Sequence, residues 1–314
     1  MTATLAESLV DAPQLSAPAE ARRRLAAFLK TSSSAALPLE LERGRTRDVL
    51  LGIADHSPYL WTLVQEDPAR LIRLLKRPPA DSLDALVQKL LSRRDEHEAD
   101  LMPALRRAKR EAALLVALAD LGGVWDVVAA TEALTRFADA AVRASLAFLL
   151  RKHARAGLLA LDADAADIES GSGLVVLALG KHGARELNYS SDIDLIVLFD
   201  PAATSIPQGT EPGPLFVRLT KAVARLLQER TGEGYVLRVD LRLRPDPAST
   251  PVALATVSAY QYYETVGQNW ERAALIKARP AAGDLGLASA FWWTSRRSSG
   301  ASISIMRRSP TSTR

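Results

Sequence analysis

The sequence predicts an α+β protein in which a helical N-terminal domain is followed by a mixed sheet with flanking helices. Residues 21–165 are rich in Ala, Leu, Arg and Glu, and their apolar residues recur every three or four positions, as on one face of a helix. Short continuous apolar runs, typical of buried strands, then replace this pattern. We therefore expect a flexible N-terminus (1–20), a helical domain (21–165), a sheet-containing domain (166–290) and a separate tail (291–314).

The starts of two helices can be predicted within the first domain. Ser57 followed by Pro58 is suited to the N-cap and first position of a helix, and Asp67 followed by Pro68 repeats the arrangement. The stretches KRPPADS and GGVWD contain turn-forming residues. The first domain is therefore expected to consist of helices joined by short turns.

The second domain is expected to contain strand, strand, helix and strand in that order. LVVLALG and IDLIVLFD predict two buried strands, and PLFVRLTKAVARLLQERTGEG predicts an amphipathic helix that ends at Gly232 or Gly234. GYVLRVDLRLRP alternates, which predicts a third strand with Asp240, Arg242 and Arg244 on one face. VSAYQYYETVGQNWERAALIKARP then returns to helical spacing.

Composition excludes several classes of protein. With 314 residues, 48% of them hydrophobic, the chain is long enough to bury a full core. It contains no Cys, which excludes disulfides and thiolate metal sites, and a reducing cytoplasm is the expected location. Runs of about 18 uncharged apolar residues are absent from the sequence, and its first residues include acids, so we expect neither a membrane span nor a secretion signal.

The basic character of the sequence comes from its tail. The net charge is +4 and the pI is near 9.4, but residues 291–314 contain five arginines and no acid. Without them, 35 basic residues face 36 acids, a balance of −1. Binding of nucleic acid is therefore not expected for the body of the chain.

Three aspartates on the predicted strands suggest a metal site. Alternation places Asp192 and Asp194 on one face of the second strand, and Asp240 on the later strand supplies a third carboxylate. Carboxylate oxygens suit Mg²⁺, which commonly binds one or two of them together with substrate phosphates. Arg242 and Arg244, expected beside Asp240, are suited to phosphate. This pattern predicts phosphoryl or nucleotidyl transfer.

A glycine turn precedes the first aspartate pair. Gly180 to Gly183 leave the first strand through a tight turn, where backbone N–H groups and Lys181 are suited to hold phosphate oxygens. The alternative for Asp192 and Asp194 is a role at the strand edge or as a helix cap. Without the turn and the third aspartate, the pattern alone does not decide between them.

A second aspartate pair in the chain serves as an internal control. Asp162 and Asp164 have the same spacing, but neither a preceding glycine turn nor a following strand accompanies them. We expect this pair to lie on the solvated surface, as most aspartates do.

The strings LALGKHGARELNYSSDIDLIVLFD and YVLRVDLRLRPDPASTPVALATVSAYQYYETVGQNWERAALIKARPAAGD resemble the glutamine synthetase adenylyltransferase family, also called the adenylyl-removing enzyme. This family belongs to the nucleotidyltransferase superfamily, so the resemblance implies a nucleotidyltransferase-type sheet. It also implies that Gly183 begins the phosphate-binding turn, that Asp192 and Asp194 bind metal, and that Asp240 is the third acid. Ala184 departs from the pattern, since the family usually has a second Gly there.

The resemblance implies a reaction and partners. Members of the family are longer and contain two catalytic halves, and the wording NYSSDIDLI with GQNWERAALIKARP is similar to the N-terminal half. That half removes AMP from a tyrosine of glutamine synthetase by phosphorolysis, so adenylyl-tyrosine and phosphate give tyrosine and ADP. The implied cofactor is Mg²⁺, and the implied partners are glutamine synthetase and a PII signalling protein. Adenylyl transfer from ATP to glutamine synthetase stays open as the alternative direction.

The resemblance also implies contacts around the phosphates. Three small or basic residues are expected to touch phosphate oxygens, with turn capping or exposure to solvent as the alternative: Lys181, Ser190 and Ser191. Arg242 and Arg244 are expected to neutralise phosphate charge, unless they are ordinary exposed arginines. Four further charged residues are expected near the cleft or, alternatively, on a helix surface: Glu271, Arg272, Lys277 and Arg279.

The resemblance stops at Phe291. The tail lacks periodicity and is rich in Ser and Arg, so disorder is one interpretation. The other is a shifted reading frame, because inserting one base after the Phe291 codon permits a family-like continuation. The nucleotide sequence tests this hypothesis, which fails if no single-base change near codon 292 opens such a frame. A truncated chain could also be an inactive fragment that only binds glutamine synthetase or PII.

Overall fold

A computed structural model of the chain describes residues 3–32 and 37–298, with side chains as far as Phe291. The contacts between residues divide the chain into two compact units. The residues of the first unit lie within Met1–Arg93, Pro103–Ala140 and Glu186–Ser190, and those of the second within Arg94–Met102, Ala141–Arg185 and Ser191–Arg314.

The first unit is helical, as predicted. It contains the helices α1 (Leu5–Ser8), α2 (Pro18–Thr31), α3 (Leu37–Glu40), α4 (Thr46–His56), α5 (Pro58–Glu66), α6 (Pro68–Leu75) and α7 (Pro79–Leu91), together with parts of α8 (Glu98–Leu121) and α9 (Val127–Arg155). Both predicted caps are confirmed: the Ser57 hydroxyl accepts from the Leu60 amide at 3.3 Å and the Asp67 carboxylate from the Arg70 amide at 2.8 Å. Each cap satisfies a backbone donor that the first helical turn leaves without an intrahelical partner.

The second unit contains the mixed sheet. Its strands are β1 (Leu174–Leu179), β2 (Ile193–Phe199), β3 (Val239–Asp240), β4 (Ala253–Ala255) and β5 (Arg279–Gly283). The order is β3-β2-β1-β5, with β4 also paired to β2. β1 runs antiparallel to β2 and β5, whereas β3 and β4 run parallel to β2. The predicted α+β class and the first two predicted strands are confirmed.

In the part of the second unit that the structure describes, six helical segments follow β1 in the chain. They are α10 (Gly180–Ala184), α11 (Pro212–Gln228), α12 (Thr256–Thr265), α13 (Asn269–Ala274), a 3₁₀ turn (Leu275–Lys277) and α14 (Leu285–Ser298). On one face of the sheet, Phe199 stacks on Phe216 of α11 with ring centroids 5.0 Å apart. On the other face, a core cluster joins Leu177, Leu198 and Phe291. Apolar side chains therefore cover both faces, which explains the continuous apolar runs of β1 and β2.

The third predicted strand is shorter than expected. β3 contains only two residues, and the chain turns immediately after Asp240, so alternation does not continue through Arg242 and Arg244. Pro245 and Pro247 lack the amide hydrogen that a longer ladder would need. The helix before it, α11, ends at Gln228, before either predicted glycine.

β5 was missed by sequence analysis, which assigned its first residues to a helical segment. Its sequence, RPAAG, contains small residues and a proline and has no strand-like pattern. Pairing with β1 creates this strand: a Cβ on Gly283 would lie 2.1 Å from the Leu174 carbonyl oxygen, so the two backbones approach closely. The short strand β4 was missed as well, for want of a pattern.

The predicted domain limits differ from the two units in several places. Residues 94–102, expected in the helical domain, belong to the second unit, and residues 186–190, expected with the sheet, belong to the first. The predicted flexible N-terminus contains α1, and Leu5 and Leu9 are buried there. Residues 141–165, expected in the helical domain, cluster with the sheet, because the last part of α9 is joined to the segment before β1. There, Arg143 pairs with Glu169 at 3.2 Å and Arg151 donates to the Ala165 carbonyl oxygen at 3.0 Å. At the other end, α14 runs across the predicted start of the tail at residue 291, and residues 299–314 lie outside the described residues.

The helices of the described residues include no candidate for a membrane span, since none combines sufficient length with sufficient apolar character.

Candidate active site

Strand pairing brings the three predicted aspartates to one end of the sheet. Asp194 lies opposite Leu179, the last residue of β1, and pairs in parallel register with Asp240 of β3. Asp192 immediately precedes β2 and, by alternation, is on the same side of the chain as Asp194. The side chains of Asp192 and Asp240 are 47% and 17% exposed, respectively, so the cluster has access to solvent.

Gly180 gives this site its shape. It adopts φ +54°, and a Cβ built on it would lie 2.5 Å from the Asp194 Oδ2 atom. Only glycine accommodates both the backbone conformation and the carboxylate above it. The predicted glycine turn is therefore a one-turn helix, α10, whose first residue lies against the second aspartate of the pair.

Gly183 has a different structural reason to be glycine. A Cβ there would lie 2.2 Å from the Lys277 carbonyl oxygen and 2.7 Å from that of Ala178, so the position requires close backbone packing. Ala184, the departure from the family pattern, ends α10, and the left-handed residue that follows is Arg185 with φ +64°. The methyl group of Ala184 therefore does not lie where Gly183 packs closely against the backbone. Whether Gly183 also contacts phosphate stays a prediction.

The electrostatics of the three carboxylates differ. Partial burial, followed by repulsion from Asp240 and Asp192, raises the pKa of Asp194, while His182 and Arg242 oppose the increase. Hydrogen bonds from Arg242 lower the pKa of Asp240. The carboxylates thus interact strongly, and a cation among them would relieve the repulsion at Asp194.

Two arginines hold the other two aspartates. Arg242 places its Nε atom 3.0 Å from both Asp240 oxygens and its Nη2 atom 2.5 Å from Oδ2, while its backbone N–H donates to Oδ1 at 2.8 Å. Arg238 donates from Nε to Asp192 Oδ1. Sequence analysis did not single out Arg238, although alternation places it on the Asp240 face two residues earlier. That signal could have identified it.

Arg244 does not lie where the sequence predicted it. It was expected beside the carboxylates to bind phosphate, but it donates instead to three backbone carbonyl oxygens of its own loop: Leu241 at 2.7 Å, Pro247 at 2.8 Å and Thr250 at 3.1 Å. The cause is the early end of β3, because a turn does not preserve the alternation of a strand. Arg244 stabilises the loop after β3.

The remaining predicted phosphate contacts are only partly brought together. Lys181 is exposed on α10, next to Gly180. Ser191 is half-buried just before Asp192, whereas Ser190 is exposed and belongs to the first unit, where its amide donates to the Asn188 side chain at 3.3 Å. Their contacts with phosphate stay predictions.

The control pair behaves as expected. Asp162 and Asp164 lie in a turn and are exposed, and the Asp164 side chain is 91% exposed. The Asp164 amide donates to the Asp162 carboxylate at 2.9 Å, a local turn contact. The same D-x-D spacing therefore occurs both at the candidate site and in an exposed turn.

Three of the charged residues expected near the cleft have structural contacts, including Arg272, which donates to the Tyr263 carbonyl oxygen at 3.1 Å. Glu271 is buried, accepts from the Gln268 amide at 2.7 Å and from the Tyr262 hydroxyl at 2.9 Å, and so caps α13. Arg279 donates to the His182 carbonyl oxygen at 3.0 Å and connects β5 to α10. Arg272 and Lys277 are exposed.

The donor set fits a hard divalent cation in chemistry and charge. Carboxylate oxygens from two neighbouring strands are the ligands that Mg²⁺ prefers. Within residues 3–32 and 37–298, however, no three His, Cys, Asp or Glu side chains are arranged to hold a metal as they stand. The carboxylates of Asp192 and Asp240 contact Arg238 and Arg242 instead.

Comparisons with known proteins identify the family of the chain. The sequence profile of the family described as glutamate-ammonia ligase adenylyltransferase matches residues 48–292. A protein of Bradyrhizobium sp. strain BTAi1, named bifunctional glutamine synthetase adenylyltransferase/adenylyl-removing enzyme, is 53% identical over 290 residues, which are 90% of this chain and 29% of that protein. A protein of the same name from Xanthobacter autotrophicus is 56% identical over 246 residues, 78% of this chain and 25% of its own length.

This chain thus spans less than a third of the length of these relatives. The profile nevertheless covers well over half of the chain and includes all three aspartates and Gly180. The chain therefore belongs to the glutamate-ammonia ligase adenylyltransferase family.

Proposed function

We propose that the chain carries a nucleotidyltransferase site that removes AMP from adenylylated glutamine synthetase by phosphorolysis. The proposal rests on the convergence of Asp192, Asp194 and Asp240 at the end of the sheet. There, Gly180 has no side chain to displace the Asp194 carboxylate. Names of the relatives supply the substrate, since they include both adenylyl transfer to glutamine synthetase and adenylyl removal. The resemblance of the NYSSDIDLI segment to the N-terminal half favours removal.

The reaction exchanges one phosphorus–oxygen bond for another. An oxygen of inorganic phosphate attacks the AMP phosphorus, the bond to the tyrosine oxygen breaks, and ADP and tyrosine are formed after the tyrosinate takes a proton from solvent. Asp192, Asp194 and Asp240 would hold Mg²⁺, which supplies charge neutralisation and polarisation of phosphate oxygens when bound. Arg242, with an exposed guanidinium, would orient the attacking phosphate.

Two alternatives use the same site. Adenylyl transfer from ATP to a glutamine synthetase tyrosine needs the same carboxylates and releases pyrophosphate. A chain of this length could also bind glutamine synthetase or a PII protein without turnover. PII is included as a partner only because of the family resemblance.

The first test measures ADP formation by the purified chain from adenylylated glutamine synthetase, Mg²⁺ and phosphate. Asp194→Asn removes one carboxylate charge at nearly constant shape, and we expect it to lower the rate by about 100-fold or more, the scale of lost transition-state stabilisation. Asp164→Asn is the matched control, because it changes the second residue of an identical motif on the exposed surface. It should leave the rate unchanged.

The products separate the alternatives. ADP that appears only with added phosphate supports phosphorolysis, whereas AMP would indicate hydrolysis. Pyrophosphate release from ATP with unmodified glutamine synthetase, in the absence of ADP formation, would reverse the proposed direction. Glutamine synthetase binding without turnover by a folded chain would favour the inactive fragment.

A further inference from the structure

We propose that Arg238 and Arg242 compete with the divalent cation for the aspartates and that cation binding transfers these guanidiniums to the phosphate substrate. The proposal rests on the function proposed above and adds how metal and phosphate binding are coupled. Without the cation, the arginines neutralise Asp192 and Asp240; with it, they are released beside the site where phosphate must bind.

The contacts of the two arginines carry this inference. Arg242 uses Nε and Nη2 on both oxygens of Asp240, the same atoms that a cation would bind. Arg238 occupies Oδ1 of Asp192. Each guanidinium neutralises its carboxylate and takes up part of the acceptor capacity of that carboxylate, so it competes with a cation for the same charge.

Exposure shows that these ion pairs can open. The side chains of Arg238 and Arg242 are 53% and 82% exposed, so the guanidiniums can swing into solvent without leaving a cavity. The Arg238–Asp192 pair is exposed on both sides, so water and salt screen it, whereas in the Arg242–Asp240 pair only the guanidinium is well exposed. Arg244 is the contrast: it is half-buried and bound to backbone carbonyls, so it is not released by a cation.

Asp194 provides the point of entry. Among the described residues, no guanidinium or ammonium group forms an ion pair with its carboxylate, and in the parallel register it lies directly opposite Asp240 and two residues after Asp192. A cation that is already bound to Asp194 also offsets the negative charge of Asp192 and Asp240. The attraction of these two carboxylates for their arginines therefore decreases. Guanidinium forks match phosphate oxygens in geometry, so the released arginines and the bound cation favour phosphate together.

The test measures Mn²⁺ affinity directly, without any substrate, on the 314-residue chain at about 0.15 M salt. Arg238→Gln and Arg242→Gln should each bind Mn²⁺ about fivefold more tightly than the unmodified chain, the fold-change expected when an exposed competing ion pair is lost. Arg242→Lys keeps the charge but loses the two-nitrogen contact, so it should also bind Mn²⁺ more tightly, by a smaller factor.

Arg225→Gln is the matched control for net charge. Arg225 lies in the same unit and is held by Glu98 and Glu229, away from the aspartates. Its loss should change Mn²⁺ affinity by less than about twofold, because only distant screened charge is altered. Thermal unfolding of each variant verifies that it is folded.

Phosphate binding supplies the second half of the test. In the presence of saturating Mn²⁺, relaxation of the phosphate ³¹P signal should show phosphate binding that Arg242→Gln weakens by about fivefold or more. Tighter metal binding combined with weaker phosphate binding is specific to the proposal, since a merely structural arginine would weaken both.

The proposal is overturned if Arg238→Gln and Arg242→Gln match the Arg225→Gln control or bind Mn²⁺ less tightly. The metal readout also separates this failure from failure of the function. If Asp194→Asn abolishes Mn²⁺ binding while the arginine variants leave it unchanged, the metal site stands and only the coupling is wrong. If the unmodified chain does not bind Mn²⁺ at all, both are wrong.

Discussion

At the scale of single residues, the close approach of Gly180 to Asp194 defines the candidate site. The glycine has a positive φ, and the absence of a side chain leaves room for the Asp194 carboxylate. Partial burial and two neighbouring acids raise the pKa of Asp194 and so disfavour its charged form. A carboxyl group with a perturbed pKa beside two further acids is typical of functional sites.

Gly180→Ala tests this contact. The new Cβ would overlap the Asp194 carboxylate, so we expect the phosphorolysis rate to fall by about 100-fold, the scale of a misplaced catalytic group. Gly171→Ala is the control, because Gly171 also has a positive φ, +69°, but nothing lies within 4 Å of its built Cβ. Both variants should lose about 1 kcal/mol from the backbone conformation. Equal activity of the two variants would contradict a role for the Asp194 contact.

Alternation in the sequence predicted that Asp192 and Asp194 share one side of the chain, because Asp194 lies in a long strand and Asp192 immediately precedes it. Alternation failed after Asp240, the last residue of β3, so Arg244, four residues later, lies in the loop and contacts its backbone. The end of a strand depends on prolines and on neighbouring strands, which periodicity does not report. Arg238 lay within reach of the same argument, since it precedes that end.

At the scale of elements, β5 depends on a partner outside the strand. Its last residue, Gly283, donates its amide to the buried Glu169 carboxylate at 2.9 Å, and Arg143 holds the same carboxylate. The segment before β1 thereby fixes the far edge of the sheet. No local pattern in RPAAG predicts a strand, because its stability comes from this tertiary pairing.

Variants of Glu169 test this dependence. Glu169→Gln keeps an acceptor for the Gly283 amide, whereas Glu169→Ala leaves this buried donor without one. We expect Glu169→Ala to be less stable than Glu169→Gln by about 1–3 kcal/mol, measured as the free energy of urea unfolding. Since both variants lack the charge, their difference reflects the lost hydrogen bond and the lost side-chain packing at this buried position, and not the charge. Equal stability would mean that the bond does not hold β5.

The pH dependence of the same pair gives a further check. Burial raises the pKa of Glu169 above its ordinary value of 4.5, so the folded state disfavours ionisation. The resulting cost is absent below the unfolded pKa and fully present once pH exceeds the raised folded pKa. The stability of the unmodified chain should therefore fall relative to Glu169→Gln as pH rises through that window.

At the scale of the whole molecule, two units share the long helices α8 and α9. Residues 103–140 of these helices belong to the first unit, while residues 94–102 and 141–155 belong to the second. Sequence analysis found both helices but ended the helical domain where helical spacing ended, at residue 165. A continuous helix gives no sequence signal where its packing partners change, so that boundary depends on tertiary contacts.

Positive charge is distributed unevenly along the chain, and the five arginines of the tail should account for any binding to polyanions. Replacing the five tail arginines by Gln changes the net charge from +4 to −1. The five positions are Arg296, Arg297, Arg307, Arg308 and Arg314. Because affinity for a polyanion depends on how many clustered cations meet it, this variant should elute from heparin below about 0.15 M salt.

A control with the same net charge separates clustering from total charge. It replaces five exposed arginines of the body by Gln: Arg22, Arg23, Arg47, Arg107 and Arg218. This variant also has a net charge of −1 but keeps the tail, so it should elute close to the unmodified chain. If both variants elute early and together, net charge governs the binding, and the tail has no separate role. If only the tail variant loses retention and its ADP formation is unchanged, basic charge and the aspartate site are independent parts of the molecule.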